Sequence, residues 1–167
     1  MKSHFLISAV LIVSMVSCNL TNEKAVEYND KIVELQDGVV QSLLALDESF
    51  VDFIPEKMDT AHAEFVRSLS NASTQLKASG PYKNDSTLFL AASKMFGSYY
   101  DLAQNNYVQF IELLKVPDSL FTPEMQAQSF DLKELIDQQR IEGQEVLINA
   151  QNAFASNHGF VLDKVSE

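Results

Sequence analysis

Proline cannot continue a helix and glycine weakens one, so a long chain with few of either and an apolar residue every third or fourth position is committed to long helices. This chain of 167 residues holds 4 prolines and 5 glycines. The prolines fall at or beside the places where the apolar period stops. No run of strict alternation, Asn-Gly hairpin signal, internal repeat or low-complexity tract interrupts that pattern.

The spacing predicts a first helix from Asn22 to Phe53, in which Tyr28, Ile32, Leu35, Val39, Leu43, Leu46, Phe50 and Phe53 form one stripe. The stripe passes through Asp37-Gly38 in register, so the helix is expected to continue there with a weak point of about 1 kcal/mol relative to alanine. Pro55 opens a second helix that ends at Ser79 before Gly80-Pro81. Asp85 or Ser86 caps a third, about Ser86 to Lys115, whose wide apolar face carries most of the aromatics. Thr122-Pro123-Glu124 starts a fourth, which runs to about Asn157 with Asn157-His158-Gly159 as its C-terminal cap. Gly38, Gly97 and Gly143 read as points of close helix approach. Ser42, Asn106 and Gln139 read as polar inner-face residues able to fix register. Four helices of about 35 to 50 Å with short connections predict an all-α, antiparallel up-down-up-down four-helix bundle, as one domain over residues 25–167.

The start of the chain has another character. Lys2 precedes an apolar core, Phe5 to Val13, broken only by Ser8, and small or apolar residues lead on to Ser17. This is the layout of an export signal over residues 1–17, and it falls short of the roughly 20 apolar residues of a membrane span. It ends in Met15-Val16-Ser17-Cys18, which resembles the lipobox of bacterial lipoprotein precursors, with methionine where leucine is usual. The resemblance implies that the Cys18 thiol is diacylglycerylated, that the signal is cut before it, and that residues 18–24 become the lipidated cysteine and a short tether. Two other readings stand beside it: release by an ordinary signal peptidase, or an apolar helix with Cys18 as a small buried hydrophobe. Cys18 is the single cysteine, so no intrachain disulfide forms and stability must come from a core. Residues Ala25 to Gln36, "AVEYNDKIVELQ", resemble the opening of uncharacterised helical surface lipoproteins of bacteria. Tyr28, Asn29, Asp30 and Gln36 carry the match. That resemblance implies helix contacts first and ligand contacts second, with no reaction to carry over. Asn19 lacks the aspartate retention signal, so the expected place is the cell envelope, at the outer membrane or cell surface.

The formal net charge is −11, and loss of Lys2 with the leader makes it one unit more negative. Nucleic acid is excluded as a partner on that ground, and the expected membrane attachment is through the N-terminal lipid.

Catalytic patterns are sparse. A ferritin-like two-metal site needs two Glu-x-x-His motifs, and Asp59-Thr60-Ala61-His62 is the only comparable pair. Asp59, His62 and Glu145 are therefore candidates for at most a mononuclear metal site, with His62 otherwise a flank residue beside Phe65. There is no Gly-x-Ser-x-Gly elbow and no phosphate loop. Glu142 and Glu145 are spaced as paired acids or as a solvated face. Phe96, Tyr99, Tyr100, Tyr107 and Phe110 would line an apolar ligand pocket or fill the core. The expectation is a non-enzymatic, cofactor-free, lipid-anchored binding or structural component; the alternative is a metal- or small-ligand-binding bundle of ferritin-like or apolar-pocket type.

Overall fold

A computed structural model describes residues 16–162, with side chains from residue 22 onward, so the export signal and the Cys18 thiol lie outside what is described. The elements are α1 (Val16–Ser49), α2 (Pro55–Ser79), α3 (Thr87–Gln104), α4 (Asn106–Leu114), a 3-10 turn (Asp118–Leu120) and α5 (Pro123–His158). The fold is all-helical. Among the described residues no strand forms, and an isolated bridge joins Tyr82 to Asp85. No described helix is long and apolar enough to cross a membrane. With α3 and α4 counted as one bent arm, four helices pack against each other: α1 on α2, α2 on α3 and α3 on α5 closely, α1 on α5 along a sparser edge.

The helix ends follow local chemistry. Gly80, at φ 62°, stops α2 and returns its N–H to the Leu76 carbonyl at 3.1 Å. Thr122 caps α5 by accepting the Met125 N–H at 3.3 Å, and Gly159, left-handed at φ 70°, ends it. At α3 it is the Asp85 carboxylate, accepting the Thr87 N–H at 2.9 Å, that meets the first free donor, while the Ser86 side chain makes no cap bond.

The structure departs from the sequence pattern at four points. Helix α1 stops at Ser49, and Phe53, expected on its stripe, sits at φ 52° and is 62% exposed. Pro55 forces Ile54 into an extended conformation (φ −94°, ψ 109°), so the chain must leave the helix before it. At its other end, helical backbone reaches back to Val16, through the residues expected to form a tether. The expected third helix breaks at Asn105, whose side-chain amide and backbone N–H both donate to the Asp101 carbonyl, at 2.9 and 3.1 Å. The register network expected of Ser42, Asn106 and Gln139 does not form around Ser42, whose hydroxyl bonds its own helix at Val39; the buried polar residues among those described are Asn29, Ser49 and Gln151.

The core runs the length of the bundle through Ile32, Leu43, Leu46, Met58, Phe65, Leu69, Leu76, Leu88, Tyr99, Tyr107 and Phe154, all essentially inaccessible. Each such side chain contributes about 1.5–3 kcal/mol relative to exposure. Of the glycines expected to allow close approach, only Gly143 does so through its missing side chain. A Cβ there would lie 2.9 Å from Tyr99 Cε1, whereas nothing stands within 4 Å of one at Gly38 or Gly97. Tyr99 cannot easily give way, because it is fully buried and its hydroxyl donates to the Arg140 carbonyl at 2.8 Å.

That contrast is testable. Gly97→Ala should stabilise by about 0.5–1 kcal/mol through helix propensity, and Gly143→Ala should destabilise by about 1–3 kcal/mol through overpacking. Urea midpoints moving in opposite directions are expected; a gain at both positions would show that Tyr99 does not fix the α3–α5 spacing.

Candidate functional site: a groove between the first and last helices

Helices α1 and α5 are fastened to each other at two levels. At one, Arg140 Nη1 lies 3.0 and 3.3 Å from the two Asp47 carboxylate oxygens and 3.7 Å from Asp137 Oδ1. Burial opposes the Arg140 charge, but Tyr107, Asp47 and Asp137 outweigh it and raise the arginine pKa. The Tyr107 hydroxyl is buried within range of that charge. Burial pushes its pKa well above the ordinary tyrosine value. Burial likewise lifts Tyr99 to about 12, against the opposing pull of Arg140.

At the other level, Asn22 Nδ2 donates to the Gly159 carbonyl at 3.2 Å, and the Tyr28 hydroxyl donates to the Gly80 carbonyl at 2.7 Å. The rings of Tyr28, Tyr82 and Phe154 lie 5.4 to 5.7 Å apart, and His158 packs on Phe154 at 4.4 Å. His158 Nε2 stands 3.0 Å from Asp85 Oδ2. Burial acts to raise the Asp85 pKa, but bonds from the Thr87 backbone and side chain, His158 and Asn157 together hold it below the usual carboxylate value.

Between these fastenings lies a groove of about 860 Å³. Val26, Val33, Ile148, Ala155 and Phe160 are among its apolar walls, and Asp30 and Asp37 stand exposed at its rim. Asn29 and Gln151 line it while only 4% and 8% exposed. Each interrupts an apolar stripe: Asn29 sits between Ala25 and Ile32 on α1, and Gln151 between Leu147 and Phe154 on α5. The Asn29 amide N–H reaches Asp30 at 3.4 Å, but its Oδ1 is buried with no partner. A groove with apolar walls and a few convergent polar groups is what a small-molecule site requires.

The residues singled out in the sequence are placed elsewhere. Phe96, Tyr99 and Tyr107 are core, Phe110 packs edge-on against Phe50 at 5.3 Å, and Tyr100 is 41% exposed. They fill space and do not jointly line a pocket. His62 Nε2 lies 2.8 Å from the Ala103 carbonyl, which accepts, so that nitrogen carries the proton. Asp59 pairs with Lys115 at 2.7 Å, and Glu145 is exposed beside a separate cleft between α3 and α5. No three His, Cys, Asp or Glu among the described residues gather as metal ligands. Composition and spacing did not reveal the groove, although five residues of the "AVEYNDKIVELQ" stretch, Val26, Asn29, Asp30, Val33 and Gln36, line it.

Comparison with protein-family models, with curated proteins and with solved structures finds no match to this chain.

The Asp85 geometry gives a pH dependence of definite sign. A carboxyl held below its unfolded pKa of 3.8 contributes stability above that value, which is lost as pH falls through the lower folded value. Asp85→Asn should therefore cost about 1–3 kcal/mol at pH 6, and the gap to the parent chain should close below pH 3.8. A gap that persists unchanged to pH 2 would mean that the variant fails for reasons other than the lost charge.

Proposed function

We propose that this chain is a lipid-anchored component of the bacterial cell envelope, at the outer membrane or cell surface, acting by binding and without catalysis. Its frame is read as an antiparallel up-down-up-down four-helix bundle. Pairs of contacts support that sense of packing: Asn22 with Gly159, Tyr28 with Phe154 and Asp47 with Arg140 run in opposite directions along α1 and α5. Ser68 with Gly38 and Tyr28 with Gly80 do the same for α1 and α2, as do Asp85 with His158 and Tyr99 with Arg140 on the α3–α5 side.

The observation that carries the binding role is the α1–α5 groove, a cleft of about 860 Å³ with apolar walls between the first and last helices. The non-catalytic reading is supported by the occupation of the chemistry-bearing side chains in structural bonds: His62 with Ala103, Asp59 with Lys115 and His158 with Asp85. The anchor is supported by the Met15-Val16-Ser17-Cys18 ending of an apolar leader. Several acyl chains hold a protein on a membrane where one gives only marginal binding, at about 0.8 kcal/mol per buried methylene.

Expressed in a bacterial host, the chain should yield an intact mass beginning at Cys18 and carrying acyl groups, and should partition with membranes. Cys18→Ser should abolish the added mass and leave the leader uncut at that site. A parent chain that keeps Met1, or carries a free Cys18 thiol, overturns the anchor.

A further inference from the structure

We propose that the end of the bundle nearest Cys18 is a docking surface for anionic lipid head groups, whose phosphates are met by the exposed lysines Lys24, Lys77 and Lys83. The inference rests on the anchor proposed above and adds to it a second, electrostatic hold on the same membrane.

The lysines are gathered by the fold. The Tyr28 hydroxyl on the Gly80 carbonyl and the Asn22 amide on the Gly159 carbonyl bring the start of α1, the α2–α3 connection and the end of α5 together at one end. Lys24 stands near the start of α1, Lys77 in the last turn of α2 and Lys83 in the connection, all three exposed. Lys83 lies in a tight turn closed by the Asp85 N–H on the Tyr82 carbonyl at 2.9 Å, with its Nζ 4.8 Å from the centre of the Tyr82 ring.

Their charges are also the ones left over. Among the described residues, the Lys and Arg side chains held in ion pairs are Lys57, Arg67, Lys115, Lys133 and Arg140. Lys24, Lys77 and Lys83 belong to none of these pairs. The acidic side chains within the same turns are Glu23, Glu27 and Asp85, and Asp85 is already engaged by His158 at 3.0 Å. The opposite end has another balance. There Glu48, Asp52, Glu56, Asp118 and Glu124 are exposed around the α1–α2 and α4–α5 connections, and Lys57 and Lys115 are both paired. The charge of −11 is thus weighted away from Cys18, so an anionic surface repels the far end while it attracts the lysines.

Reach completes the case. Helical backbone extends back to Val16, which sets Cys18 about 9 Å along the axis from Lys24 at 1.5 Å per residue. That distance is about the screening length at physiological salt. An acylated Cys18 therefore holds this end where head-group charge is still felt, and each lysine so placed favours contact by about fivefold. The phosphates of nucleic acid have no such tether and meet the negative charge of the whole chain.

The test uses the processed chain in nanodiscs of phosphatidylcholine alone or in an equal mixture with phosphatidylglycerol, each with a trace of gadolinium-chelate lipid that broadens nearby amide signals. Amides of Lys77, Lys83 and Asn84 should broaden more in the mixture, and those of Val51 and Leu120 should stay sharp in both. Lys83→Gln should weaken the phosphatidylglycerol-dependent contact by about fivefold, and Lys83→Arg should retain it. Lys24→Gln, Lys77→Gln and Lys83→Gln together should abolish it, as should salt at about 1 M. Equal broadening in both membranes, or a lipid dependence that survives the triple change, overturns this surface and leaves the anchor standing, because attachment is read separately from the acyl mass. If the chain carries no acyl mass, which overturns the anchor, the soluble chain is added to vesicles of the same two compositions. Sedimentation with phosphatidylglycerol that the triple change abolishes then supports the surface, and sedimentation with neither composition overturns it as well.

Discussion

The contact between Arg140 and Asp47 is the one on which closure of the bundle depends. Helices adjacent in sequence are brought together by short connections, but the first and last helices are joined by no loop and, with a single cysteine, by no intrachain disulfide. Their edge must be held by side chains. A half-buried guanidinium is a poor source of net stability, because its desolvation offsets much of the attraction. It is a stronger source of specificity, since any register that separates Arg140 from Asp47 leaves the half-buried guanidinium with only the longer Asp137 contact on its own helix. The same residue sets the level of α3, because its backbone carbonyl receives the Tyr99 hydroxyl and the missing Cβ of Gly143 lets the Tyr99 ring lie against α5.

The bend at Asn105 has a comparable logic. The last carbonyls of a helix have no partner further along it. Here the Asp101 carbonyl is met by Asn105 and the Ala103 carbonyl by His62 from α2. The histidine that sequence reading offered as a metal ligand is thus a cross-helix cap for a broken arm. Beyond the break, Tyr107 stacks edge-on to Phe65 at 5.8 Å and Phe110 edge-on to Phe50. These contacts join α4 to the end of α1 and to α2.

Features encoded within a few residues were legible in the sequence, and features encoded across helices were not. Pro55, Gly80, Thr122 and Gly159 act through their own backbone and neighbours, and each marks a helix end where the spacing placed it. The stripe of α1 was readable through Gly38, yet not its end, because the extended Ile54 imposed by Pro55 outweighs the apolar period that continues to Phe53. Which glycine allows close approach depends on what faces it, and only Gly143 has Tyr99 opposite. The groove was hidden for the same reason. Asn29 and Gln151 are single polar interruptions in two stripes far apart in sequence, and their significance appears only when α1 and α5 are set side by side.

The proposed anchor and the groove bear on each other through distance. Cys18 and Asn29 both belong to α1, so at 1.5 Å per residue the groove stands about 16 Å along the helix axis from that cysteine. If Cys18 carries the lipid, the helical residues 18–24 leave little slack between anchor and bundle, and the end bearing Tyr28, Tyr82 and His158 would face the head groups. A chain of charge −11 is repelled by an anionic leaflet, so such an anchor would favour an upright stance over one lying flat.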